Sequence, residues 1–66
     1  MDEVKQRVIE ERDELSVRLR KLTDFLMSDK VLRLSNEMQA YMFEQQAAML
    51  KYLWSLNGRL DIWDKQ

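Results

Sequence analysis

The stretch NEMQAYMFEQQAAMLKYLWSLNGRL, residues 36–60, decides the fold. Its apolar side chains recur three and four residues apart, which is the period of an amphipathic helix. At about 100° per residue they form two stripes that together cover roughly half of the helix circumference. The pattern predicts a long helix that packs on the rest of the chain with one face and on something else with the other. The first stripe holds Met42, Met49, Leu53, Leu56 and Leu60, and the second holds Ala40, Phe43, Ala47, Leu50 and Trp54.

An earlier helix is predicted over about residues 2–27, followed by a short helical connection over 28–35 and the long helix over about 36–63. Ser28 gives a helix-start signal, and Ser35 or Asn36 caps the long helix. A connection this short joins antiparallel neighbours. We therefore expect an all-α protein with one domain over residues 1–66, an antiparallel two-helix hairpin that self-associates into a helical bundle. The first helix contributes to the hairpin core Val8, Leu15, Leu19, Leu22 and Leu26.

Three features of the two heptad seams stay open. The long helix either ends at Asn57-Gly58 or continues through it. We expect it to continue, because the apolar stripe does. Arg12 either extends into solvent near an open end of the bundle, or is a polar device that fixes the register or pairs with an acidic residue across an interface. Gln46 either lies at the margin of the seam or forms a hydrogen bond across a dimer core.

Size and composition favour self-association. The chain has 66 residues and no cysteine or histidine, and a core of this size supplies only about 3–5 kcal/mol without a disulfide, a metal or a second copy. A formal net charge of −1 argues against nucleic-acid binding driven by phosphate neutralisation. No apolar run is long enough to span a membrane, and the charged N-terminus does not resemble a secretory signal, so we expect a cytoplasmic protein.

Catalysis is not expected. The commonest general base and the thiol nucleophile are both missing. One glycine cannot build a phosphate-binding loop, and no metal-binding loop is present. The charged residues of the first helix fit a solvated face, with pairs at i,i+4 such as Glu3–Arg7 and Glu14–Arg18. We expect no catalytic residue, no cofactor and no metal site.

Two kinds of binding remain open. The second stripe of the long helix, Ala40 to Trp54, combines small residues with large aromatic ones and suits either a second copy of the chain or a protein target. Tyr41 and Tyr52, together with Arg12, are candidate contacts to a ligand or a target. The chain also carries cations that could hold the phosphates of a nucleotide between subunits, namely Arg12, Arg18, Arg20, Lys21 and Arg33.

Several short motifs resemble a family of very small phage and prophage proteins, commonly labelled as related to a gene product of a crAss-like phage. They are an ERDEL start at residues 11–15, a KL..F segment at 21–25, an S-D-K turn at 28–30 and an ending of the form Q…M..Y…L..R at 46–59. The chain departs from that family at Val31, where an aromatic residue is usual, and at Gly58. The resemblance implies a phage accessory protein that acts in the host cytoplasm, and it transfers no functional residue.

Taken together, these observations predict a small phage-encoded protein that works through protein–protein contacts, binding and modulating or inhibiting a host or defence protein as an oligomer. The first alternative is an oligomeric sponge that sequesters a nucleotide signal and so counters host defence. The second alternative is a purely structural oligomerisation module. Neither nucleic acid nor a membrane is an expected partner.

Overall fold

The computed structural model describes residues 2–65, and it confirms the predicted all-α, two-helix hairpin. Helix α1 spans Asp2–Leu26, a 3-10 helix spans Asp29–Arg33, helix α2 spans Asn36–Asp61, and a second 3-10 helix spans Trp63–Lys65. The two α-helices pack against each other as a hairpin, and no strand occurs in the described part of the chain. The molecule is a rod with principal extents of 47 × 15 × 14 Å.

The connection between the helices is held by two serine caps. The hydroxyl of Ser28 accepts a hydrogen bond from the backbone N–H of Lys30 at 3.3 Å. The hydroxyl of Ser35 accepts one from the N–H of Met38 at 3.1 Å, which identifies Ser35 rather than Asn36 as the cap of α2. Such caps satisfy backbone donors that the first turn of a helix leaves without partners.

The core is a single layer of side chains between the helices. Val8, Leu15 and Leu56 form its centre, and Leu56 is fully buried at 0% exposure. Leu19, Leu26 and Val31 are also buried, and Val31 comes from the connection. Leu32, the residue after it, is 71% exposed, because a tight 3-10 turn directs successive side chains to different sides. Half-buried apolar residues packed against this centre are Met49, Leu53, Leu60 and Trp63. Leu22 and Met42 are half-buried as well.

Helix α2 runs through Asn57 and Gly58 without a break and ends at Asp61, two residues before the predicted end. The backbone N–H of Ile62 caps it by donating to the carbonyl oxygens of Gly58 and Leu60. The chain then turns so that Trp63 packs against the core cluster. The apolar stripe therefore continues past Asp61, but as a 3-10 turn instead of an α-helix.

Gln46, the polar residue in the seam of α2, joins the two helices of one hairpin. Its side-chain amide donates a hydrogen bond to the hydroxyl of Thr23 at 2.9 Å, in a partly buried position. A partly buried amide with a partner of its own does not carry the cost of an unsatisfied polar group. This contact and the ion pair of Lys5 with Asp64, at 3.6 Å, define the antiparallel register of the hairpin.

Candidate binding surfaces

The second apolar stripe of α2 lies on the outside of the hairpin. Phe43, Leu50 and Trp54 are 49%, 53% and 76% exposed, and Ala40 and Ala47 are exposed as well. The stripe faces away from the core because its residues lie about 120–180° around the helix from the fully buried Leu56. It is an apolar surface that the hairpin itself leaves uncovered, and we call it the outer stripe.

Arg12 lies at the margin of the core and has a partner on its own helix. Its side chain is 34% exposed, and its guanidinium donates to the carboxylate of Asp13 with N–O distances of 3.0 Å. Tyr41 and Tyr52, which are 66% and 44% exposed, lie on the other side of the seam. The structure therefore does not bring Arg12 together with the two tyrosines as one site.

Arg18, rather than Arg12, lies on the same side of the hairpin as Tyr52. The register set by the Thr23–Gln46 contact makes Arg18 level with Tyr52, to within about one residue or 1.5 Å of rise. Helical geometry also places both residues on the flank of the seam opposite to the Thr23–Gln46 contact. The sequence singled out each residue separately, but only the register of the hairpin reveals that they share a flank.

A shallow, open depression of about 320 Å³ lies beside Arg18 and is lined by Glu14, Val17 and Arg18. Val17 is 53% exposed, so the depression combines one accessible apolar side chain with two charged ones. The predicted pairs Glu14–Arg18 and Glu3–Arg7 do not form ion pairs in the described part of the chain. Exposed pairs of this kind gain little because solvent screens them and ordering two long side chains costs entropy.

The polar groups of the hairpin are otherwise satisfied or solvated. Among the described residues, no buried side-chain nitrogen or oxygen lacks a hydrogen-bond partner. The described residues also contain no group of three or more acidic, cysteine or histidine side chains placed to hold a metal ion. Over the same part of the chain, neither helix has a stretch that is both long and apolar enough to cross a membrane.

These features define a class of protein: a small, all-helical hairpin that presents one uncovered apolar stripe and one flank carrying arginine and tyrosine. The chain belongs to the Sequestin family, whose family model matches residues 2–62. That range includes both α-helices and the connection between them, so the match covers the whole hairpin. Comparisons with curated proteins and with solved structures return no match. The family match agrees with a small accessory protein, but it carries no link to a crAss-like phage.

Proposed function

We propose that this protein acts by sequestration: it binds a target stoichiometrically and withholds it, without any chemical conversion. The observation that carries the proposal is the match of the complete hairpin to a family named for sequestering. The exposed outer stripe and the Arg18–Tyr52 flank support the same function, since both are surfaces that suit binding.

The proposed binding unit is an oligomer. A ligand pocket normally buries about 70–90% of the surface of a small ligand. This hairpin has a core only one side chain thick, so a ligand bound to one hairpin would contact protein on one side and solvent on the other. Enclosing a ligand therefore requires more than one hairpin. The surface that we assign to oligomer formation is the outer stripe, from Ala40 to Trp54.

The proposed target is a small anionic ligand of the nucleotide class. Arginine guanidinium groups bind phosphate oxygens through paired hydrogen bonds, and aromatic rings stack on nucleobases. Arg18 and Tyr52 offer these two groups on one flank, and the guanidinium of Arg18 forms no ion pair with a described residue. From the motif resemblance, we further propose that the protein is phage-encoded and counters a host defence signal in the cytoplasm.

The second candidate target is a host or defence protein. Its support is the outer stripe itself, because a tryptophan that is 76% exposed next to phenylalanine and leucine is typical of the centre of a protein interface. In this alternative the target covers the stripe, and the Arg18–Tyr52 flank is a solvated rim.

The test is native mass spectrometry of the protein purified gently from host cells, followed by denaturation and an ultraviolet spectrum of the released small molecules. We expect a multiple of the chain mass plus a few hundred daltons, and a released compound that absorbs as a nucleobase does. Arg18→Glu should remove the extra mass. Arg20→Glu, the same charge change on the opposite flank of α1, should leave it in place.

Two results would refute the nucleotide proposal. One is an extra mass that Arg18→Glu and Arg20→Glu reduce equally, since the flank would then have no special role. The other is an additional protein-sized mass in fixed ratio to the chain with no small molecule released, which would support the host-protein alternative. Circular dichroism of both variants checks that the hairpin stays helical.

A further inference from the structure

The hairpin exposes more surface than a compact monomer of its mass. Its accessible surface is 5575 Å² for a mass of 8.1 kDa, whereas about 4,500 Å² is usual for a folded monomer of that mass. The surplus of about 1,000 Å² is close to the roughly 800 Å² that each partner buries in an interface of standard size. A partner that covers one long side of the rod would remove this surplus.

The outer stripe repeats every seven residues. Ala40, Ala47 and Trp54 are separated by seven, and so are Phe43 and Leu50. This is the heptad spacing with which one helix packs along another. The charged residues on one edge of the stripe, Glu44 and Lys51, have the same separation, and both are exposed.

We infer that the occupant of the outer stripe is the α2 helix of a second copy, antiparallel and centred on Ala47. Ala40 lies seven residues before Ala47 and Trp54 lies seven after it, so each tryptophan would pack against the small Ala40 of the other copy. Phe43 would be level with Leu50 of the other copy to within one residue. The small side chain of Ala47 at the twofold axis allows the two helices to approach closely.

Charge complementarity supports the antiparallel direction. Glu44 lies three residues before Ala47 and Lys51 lies four after it, on the same edge of the stripe. In an antiparallel pair this edge faces the same edge of the second copy, so Glu44 meets Lys51 twice, once in each direction. In a parallel pair each residue would be level with its own counterpart, so Trp54 would lie against Trp54 of the other copy. The edge that carries Glu44 and Lys51 would then face the opposite, uncharged edge of the outer stripe of the other copy.

The absence of cysteine from the sequence makes cross-linking a direct test. In the proposed pair, Ala47→Cys places two thiols together at the twofold axis and should oxidise to a disulfide-linked dimer. The two copies of Ala40→Cys would be about 21 Å apart along the helices, well beyond the roughly 7 Å that a disulfide can bridge between Cα atoms, and should stay monomeric under denaturing electrophoresis. Cross-linking of both variants or of neither would overturn the inference.

Two neighbouring alanines provide a second test that needs no oxidation. Ala47 and Ala48 are both exposed on α2, but they lie about 100° apart around the helix, so only Ala47 belongs to the outer stripe. By analytical ultracentrifugation, Ala47→Gln should raise the dissociation constant of the dimer at least tenfold, whereas Ala48→Gln should leave it unchanged. Equal effects of the two variants would overturn the inference.

Charge reversal tests the direction of the helices separately. Glu44→Lys should weaken the dimer several-fold, and adding Lys51→Glu to the same chain should restore it. Failure of the second change to restore the dimer would refute the antiparallel pairing.

This inference rests on the self-association part of the proposed function and is independent of the ligand. Pairing at Ala47 without a bound nucleotide would leave the inference intact and refute the nucleotide proposal. A nucleotide bound to a monomer would refute the pairing and leave the choice of ligand intact.

Discussion

Leu56 is the side chain on which the hairpin depends most, and Leu56→Ala measures that dependence. Leu56 is 0% exposed and contributes to the core centre together with Val8 and Leu15. Removing about three buried carbon groups loses roughly 2.4 kcal/mol of transfer free energy, at about 0.8 kcal/mol each. A cavity adds to this loss, and buried Leu→Ala changes cost about 2.7–5.0 kcal/mol in total. We expect about 3 kcal/mol, near the lower end, because the half-buried Met49 and Leu53 can move inward.

The matched control is Leu50→Ala, the same chemical change six residues earlier on the same helix. Leu50 is 53% exposed, so its truncation should cost less than about 1 kcal/mol in an isolated hairpin. The assay is urea unfolding followed by circular dichroism, at protein concentrations low enough to keep copies apart. A core of this size supplies about 3–5 kcal/mol, so Leu56→Ala should keep at most about 2 kcal/mol of stability and should unfold at a much lower urea concentration than the parent hairpin. Equal losses for the two variants would refute the assignment of the inner and outer faces of α2.

Three further changes test local features of the hairpin. Gly58→Ala should raise the free energy of unfolding by about 1 kcal/mol, measured as a higher Tm. Alanine is the better helix former, and a Cβ at this position would meet nothing within 4 Å. An unchanged or lower Tm would contradict the open space next to Gly58. Ser35→Ala should cost about 1 kcal/mol through loss of the cap, whereas Ser35→Asp should keep the cap and most of the stability. A double-mutant cycle on Thr23→Val and Gln46→Leu should give a coupling energy of about 1 kcal/mol for their hydrogen bond, and additive effects would show that the bond contributes nothing.

The spacing of apolar residues is enough to predict the core positions. Leu15 and Leu56 are assigned to the inner faces from spacing only, and the structure buries both. Helix existence and facing are local properties, because they depend on residues three and four apart on one element. The passage of α2 through Gly58 follows for the same reason: the apolar residues on either side stabilise the helix by more than the roughly 1 kcal/mol that one glycine costs.

The Arg18–Tyr52 flank could not be predicted in this way. Both residues were recognised in the sequence, but Arg12 was chosen as the companion of the tyrosines. Arg12 and Arg18 lie six residues apart on α1 and fall on opposite flanks of the seam once the hairpin closes. The spacing of residues in one helix shows which of them share a face. It does not show which residues of a second helix will lie beside them, because that depends on how the two helices pack.

The sequence by itself determined two amphipathic helices, the short capped connection that makes them antiparallel, the inner face of each helix and the apolar stripe that the hairpin leaves uncovered. These follow from composition and from spacings within one element. Only the tertiary structure decided that Gln46 bonds to Thr23, that Arg12 pairs with Asp13 at the edge of the core, that Leu32 is exposed, and that Arg18 and Tyr52 share a flank. The physical reason is that these features depend on the rotation and register of two helices, which a few contacts between residues distant in sequence determine.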